Sequence, residues 1–185
     1  MIPGQVIFTG KTKKDVEVLV RYPQQGDAQM LCDYINTLSD ERTFILFQGE
    51  QTSLEDEQKY LDTQIKNIED QKTAMLLAFY QDKLIGVTSI EKKVRAQKHI
   101  GNFGISIARE FRGKGIGGLL MDLVIKESEK NLEDLKIIEL SVFADNPVAK
   151  SLYKKFGFQE FGILPEGILH AGVPVDHTYM YKKVT

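Results

Sequence analysis

Three observations make this sequence an α/β protein of the α+β kind, built as a single domain around an antiparallel meander. Two apolar runs, Ala74–Tyr80 and Leu84–Lys92, flank the short link Gln81-Asp82-Lys83 and read as an antiparallel hairpin. A third run, His99–Ala108, continues that meander and passes through a glycine-rich loop into a helix. A further strand, Ile137–Phe143, feeds a second helix that opens on Asp145-Asn146-Pro147, a cap residue followed by proline at the first helical position. Neither an internal repeat nor an interdomain linker divides the chain, so the domain is expected to span residues 1–185.

The remaining elements follow in order. Val16–Tyr22 reads as a first strand, closed by the Pro23–Asp27 stretch. Met30, Leu31, Tyr34, Ile35 and Leu38 then share one helical face, and Leu46–Thr52 reads as a loop. Ser53 and Asp56 have the spacing of a capping box before a half-exposed helix carrying Leu54, Tyr60, Leu61, Gln64, Ile65 and Ile68. In the His99–Ala108 strand, Phe103, Ile105 and Ile107 alternate with Gly104, Ser106 and Ala108, while Gly101 and Gly104 suggest a bulge or a close approach. After the glycine loop, Ile116, Leu119, Leu120, Leu123 and Val124 form the apolar stripe of a helix. The later helix should turn Ala149, Leu152, Tyr153 and Phe156 inward and end at Gly157. Two closing strands, near Phe158–Leu164 and Val175–Lys183, are expected around a glycine-rich, proline-bearing loop.

Composition narrows the function. With 42% hydrophobic and 27% charged residues the chain is an ordinary soluble globule, and a formal net charge of -2 gives no support for nucleic acid or an anionic membrane as partner. The single cysteine, Cys32, excludes a disulfide framework and sits among Leu31, Ile35 and Leu38 as a buried structural thiol. The three histidines are scattered, so no metal set is expected. A signal-peptide pattern and an apolar run of the roughly 18 residues needed to span a bilayer are both lacking, which makes the cytoplasm the expected location.

The segment Arg112-Gly113-Lys114-Gly115-Ile116-Gly117-Gly118 carries the chemistry. Four glycines and two cations lie between a strand and an amphipathic helix, and no Ser, Thr, Asp or Asn caps that helix. Its first N–H groups and the positive end of its dipole stay free for an anion, and glycine lets a diphosphate approach the main chain without meeting a Cβ. A Walker loop is excluded, because the position five before the Gly10-Lys11-Thr12 triplet is Gln5. The dinucleotide pattern G-x-G-x-x-G is met by Gly113, Gly115 and Gly118, yet Glu133 and Asp134 precede the next strand rather than follow it.

Beyond the glycines, Arg112, Gly115 and Gly117 resemble the Q/R-x-x-G-x-G/A signature of the GNAT acetyltransferase superfamily. Asn146 to Phe158, with its Asn, Ala, Leu-Tyr pair and Gly-Phe ending, is similar to the second GNAT signature, and Asp176 with Met180 to the final strand. The likeness covers most of residues 74–183; residues 1–70 match only in the order strand, helix, helix.

That resemblance implies a mixed, mostly antiparallel sheet of about seven strands, four flanking helices, and a parallel pair, His99–Ala108 and Ile137–Phe143, that splays apart around the pantetheine of acetyl-CoA, the expected co-substrate. By it, main-chain groups of Ile105 and Ile107, with Ser106 between them, pair with the pantetheine. The N–H groups of Gly113, Lys114, Gly115, Ile116, Gly117 and Gly118 receive the pyrophosphate, Arg112 and Lys114 add charge, and Asn146 and Ala149 complete the cofactor site. Tyr153 becomes the candidate acid for the leaving thiolate. The base stays open among Glu50, Glu139, His99 and a water chain. The implied activity is N-acetylation of a primary amine, either of a small molecule or of a protein or peptide N-terminus. A non-catalytic acyl-CoA sensor and, further off, a dinucleotide-dependent oxidoreductase are the alternatives. A free sheet edge near the C-terminus suggests a homodimer.

Overall fold

The computed structural model describes residues 1–184; Thr185, the last residue of the expected domain, lies outside the described residues. In chain order the elements are β1 (Val6–Lys11), β2 (Glu17–Arg21), α1 (Ala28–Asp40), α2 (Leu54–Glu69), β3 (Thr73–Tyr80), β4 (Lys83–Lys92), β5 (Ile100–Ile107), α3 (Ile116–Asn131), β6 (Ile137–Phe143), α4 (Pro147–Lys155), β7 (Gln159–His170) and β8 (Val173–Lys183). The strands form one sheet in the order β1-β2-β3-β4-β5-β6-β8-β7.

The sheet has eight strands rather than about seven, the addition being β1. As an edge strand paired only with β2, it needs no strict apolar alternation, and its residues are all half-buried or exposed. The closing hairpin also differs from expectation. Its turn is Ala171-Gly172, both at positive φ, and β7 runs on through Pro165 and Gly167 by a bulge in its pairing with β8. An edge strand tolerates that proline because its outer N–H has no ladder partner to lose. Asp176 serves this bulge, its carboxylate accepting from the Glu166 N–H at 3.0 Å.

Cross-strand contacts sort the helices. A Cβ on Gly86 would meet Ile107 and Leu120 at 2.9 and 3.0 Å, and one on Gly101 would meet Ile90 and Leu135 at 2.6 and 3.0 Å, so these positions face α3 and require glycine. The opposite parity, Ser106 of β5 and Glu91 of β4, meets Tyr34 of α1 and Gln64 of α2. Helices α1 and α2 therefore cover one face, and α3 with α4 the other. Between them Leu76, Leu77, Ile85, Ile90, Leu120 and Met121 are fully buried. Arg21 fixes the entry to α1, forking onto Asp27 with two bonds of 2.7 Å beneath the Phe79 ring.

The one parallel contact is short. β5 and β6 pair only at Ile100↔Ile137, Gly101↔Ile138 and Asn102↔Glu139. Beyond that row β5 stays with β4 up to Ile107, while β6 stays with β8 up to Phe143, so a wedge-shaped gap opens between them. This topology also removes the dinucleotide-dependent oxidoreductase, because a doubly wound nucleotide fold needs a largely parallel sheet and here every other pairing is antiparallel.

Candidate functional site

The glycine loop joins the wide end of that gap to α3. Gly113 and Gly115 adopt φ of 73° and 85°, the left-handed region that a side chain resists, and Gly115 occupies the cap position without any side-chain cap. The first bond of the helix runs from Leu119 N–H to Gly115 carbonyl, and the N–H groups of residues 113–118 have no protein partner among the described residues. A Cβ on Gly113 or Gly118 would meet nothing within 4 Å, and one on Gly117 only Leu152 of α4 at 3.5 Å. The result is an open cradle of donors at the positive end of a helix dipole, the arrangement a diphosphate fits. Ile116 contributes its N–H while its side chain is buried in the core.

The loop is held from a place the sequence did not indicate. Thr12, in the β1–β2 turn, donates its hydroxyl to the Lys114 carbonyl at 2.9 Å and accepts from the N–H groups of Lys14 and Val16. Gly10-Lys11-Thr12, set aside as a failed Walker triplet, is thus structural support for the phosphate cradle. The Lys114 ammonium lies 5.0 Å above the Phe111 ring.

Hydrogen-bond parity shows what β5 offers the gap. Ala108 N–H bonds to the Ile85 carbonyl, which makes Ile107↔Gly86 a non-hydrogen-bonded antiparallel pair, and by alternation Ile105↔Thr88 also. The main-chain groups of Ile105 and Ile107 therefore point away from β4 into the gap. Two expectations change. Ser106 directs its main chain at β4 and its hydroxyl to Tyr34, 3.0 Å away on the α1 face, so neither set of its polar groups faces the gap. Arg112 donates from Nε to the Ile107 carbonyl at 2.9 Å and from its outer nitrogen to Glu41 at 2.6 Å. Its charge is compensated and it clamps the end of β5 to α1, leaving Ile107 only its N–H.

Tyr153 comes from the α3 side. Its ring packs edge-on to Phe103 of β5 at 5.8 Å and beside Phe158 at 6.1 Å, and its hydroxyl makes no hydrogen bond among the described residues. Burial pushes the phenol up to about 12. Asn146 caps α4, its side-chain oxygen accepting from the Ala149 N–H at 3.1 Å. That leaves the Asn146 amide group as its free donor and engages the Ala149 main chain in the cap.

None of the three candidate bases stands free at the gap. His99 precedes β5 at the closed end, six residues or about 20 Å along the strand from Ile105. Glu139 sits at the last paired row and is ion-paired to Lys93 at 2.5 Å. Glu50 folds its carboxylate onto the Gln48 N–H, and backbone hydrogen bonds hold it below the usual carboxylate range. The α1-side face instead presents groups for which the sequence had no signal. Tyr34 meets Ser106, Phe44 and Phe143 surround His170, and His170 Nδ1 lies 2.9 Å from Asp145. The loop bearing Phe44 is tied to the β7–β8 turn by Gln48, whose side-chain oxygen accepts from Ala171 N–H at 2.9 Å. No His, Cys, Asp or Glu grouping suited to a metal occurs among the described residues.

Residues 35–158 match the Acetyltransferase (GNAT) family. The chain is 32% identical over 106 residues to the L-amino acid N-acetyltransferase AaaT of Escherichia coli, an alignment covering 57% of this chain and 65% of the relative, so it spans just under two thirds of that protein's length. Among solved structures, the acetyltransferase of GNAT family from Streptococcus pneumoniae superposes with a TM-score of 0.83 at 27% identity, covering 91% of this chain and all of that one. The spermidine N-acetyltransferase from Vibrio cholerae in complex with CoA and spermine gives 0.73 at 27% identity, over 90% and 95% of the two chains. The chain belongs to the GNAT acetyltransferase family.

Proposed function

We propose that this GNAT-family protein is an enzyme that transfers an acetyl group from acetyl-CoA to a primary amine of a small molecule or of a protein or peptide N-terminus. The observation that carries the reading is the wedge between β5 and β6 opening directly onto the uncapped glycine cradle of α3. The residues fit the coenzyme. Residues 113–118 would hold the diphosphate, the main-chain groups of Ile105 and the N–H of Ile107 would take the pantetheine amides, and the Asn146 amide would donate to the same arm. When bound, the coenzyme supplies an acetyl group activated as a thioester.

The chain's own residues then have separable tasks. One further main-chain N–H of β5 facing the gap would stabilise negative charge on the acetyl oxygen. Tyr153 holds the proton needed by the departing sulfur. With its phenol at about 12, transfer to a reference thiol near ~8.5 is uphill by roughly 3.5 pKa units, about 5 kcal/mol, so the proton moves only as the C–S bond breaks. A thiolate forming in the same buried surroundings is itself destabilised, which narrows that gap.

The intact Tyr153 favours an enzyme over a non-catalytic acyl-CoA sensor. Support for an amine acceptor comes from the relatives, one named for L-amino acids and one holding spermine. The wider expectations are kept as part of this proposal: residues 1–185 as one N-acetyltransferase domain, a cytoplasmic setting, and no nucleic-acid or membrane partner. No helix is long and apolar enough to cross a membrane among the described residues. The β7 edge, exposing Phe161, Ile163 and Leu164, is the proposed seat of a homodimer. Calorimetry with CoA and acetyl-CoA, followed by thiol release with an amine panel, tests the function. Absence of coenzyme binding removes it, and binding without thiol release returns the sensor.

A further inference from the structure

Acetyl transfer leaves one proton without a recipient, that of the acceptor ammonium. On the α1-side face, His170 closes β7 with its Nδ1 2.9 Å from an Asp145 carboxylate oxygen. A carboxylate only accepts, so Nδ1 directs its N–H at Asp145 and Nε2 is the ring nitrogen left for an acceptor. Phe44 packs on the ring at 4.5 Å and Phe143 at 5.4 Å, fixing its plane from two further elements. The side chain keeps 22% exposure.

The place is as telling as the pair. Phe143 ends β6 at the wide end of the gap, and Asp145 immediately precedes Asn146, the α4 cap. Phe44 belongs to the loop between α1 and α2, which Gln48 ties to the turn next to His170. The charged and titratable neighbours are few. Asp145 comes from the β6–α4 loop and His177 from β8, across Phe143 at 6.2 Å, while the α1–α2 loop presents Phe44 and Gln48 and carries Arg42 and Glu50, the Glu50 carboxylate being held on the Gln48 N–H. Burial pushes His177 down, so it adds no competing positive charge near neutrality.

We infer that His170, oriented by Asp145, takes the proton of the acceptor, and that the acceptor is a primary amine whose apolar or aromatic substituent lies against Phe44 and Phe143. The inference rests on the acetyl-transfer reading. The ammonium gives one proton to Nε2, and the freed nitrogen lone pair forms the C–N bond at the thioester carbonyl carbon. The C–S bond breaks with its electron pair going to sulfur, Tyr153 gives sulfur a proton, and the second proton lost by nitrogen restores Tyr153. The imidazolium, facing the Asp145 carboxylate, returns its proton to water.

The test uses 2-phenylethylamine and methylamine as probe acceptors, with acetyl-CoA and thiol release followed across pH. His170→Gln should lower kcat/KM for 2-phenylethylamine about 100-fold near neutrality and displace the rise with pH upward, to the range where the amine is already neutral. Asp145→Ala should act in the same direction, and Phe44→Ala should raise KM for 2-phenylethylamine while leaving the pH profile intact. Coenzyme binding by calorimetry should be unchanged in all three. A wild-type pH profile in His170→Gln overturns the inference, as does methylamine turnover as efficient as that of 2-phenylethylamine. Wild-type protein that binds no coenzyme fails at the calorimetric step and overturns the underlying reading with it.

Discussion

The Thr12 hydroxyl donates to the main-chain carbonyl of Lys114 at 2.9 Å, joining positions 102 residues apart. One buried side chain thereby links the β1–β2 turn to the phosphate cradle. Thr12→Val keeps the shape and removes the bond. A loss of about 1 kcal/mol follows, and CoA affinity measured by calorimetry should fall about 5-fold with the fold retained.

Gly118 and Gly113 should behave oppositely before coenzyme is added. Gly118 lies within the first turn of α3 with open space around its missing Cβ, so Gly118→Ala should raise the apo melting temperature, by up to about 1 kcal/mol of helix propensity. Gly113, at φ 73°, should lose stability as Gly113→Ala by about 1–2 kcal/mol. Both should weaken CoA binding, since each puts a methyl group into the cradle. Thermal denaturation with and without CoA reads both effects.

Tyr153→Phe should lower kcat about 100-fold with little change in CoA affinity. Because the hydroxyl has no protein partner among the described residues, its removal should leave the melting temperature nearly unchanged. A phenol at about 12 stays protonated through neutral and moderately alkaline pH. The wild-type rate should therefore show no falling alkaline limb below about pH 11 from this residue, which a pH–rate profile of kcat checks.

Glu57, on α2, is buried, and that burial holds its carboxyl above the ordinary range. A carboxyl raised in the folded state contributes its full stability below its unfolded value, near ~4.3, and loses it as pH rises through the folded value. Glu57→Gln should therefore melt higher than wild type at pH 7, by a few degrees, and the difference should vanish near pH 4. Melting curves at both pH values decide it.

How much was legible follows from where each signal lives. Apolar runs located β3 and β4, period-two alternation located β5 and β6, and helical patterns located all four helices, because each buries a continuous apolar surface. Ser53 does cap α2, accepting from the Asp56 N–H at 3.1 Å, since a cap is a local contact of three residues. The edge strand β1 lacked a buried face, and the bulge at Pro165–Gly167 in β7 looked like a loop because proline and glycine mark both. Within the site, the cradle was visible because glycine φ and a missing cap are written in consecutive residues. Thr12, Arg112–Glu41 and His170–Asp145 were not, since each joins groups distant in sequence whose side chains carry no pattern of their own. Ser106 was misassigned for a related reason: strand parity tells which residues alternate, but only the pairing partner tells which direction the backbone bonds face.

A single carboxamide has one further effect. Gln48 accepts from Ala171 through its oxygen and donates to the Thr43 and Ile45 carbonyls through its nitrogen, so the α1–α2 loop and the tip of the last hairpin share one fastener. Neither segment can be retailored alone: residues grafted at the hairpin tip will reposition Phe44, and exchanging that loop will shift His170. Attempts to redirect this protein toward new amines should therefore vary the two segments as a matched set.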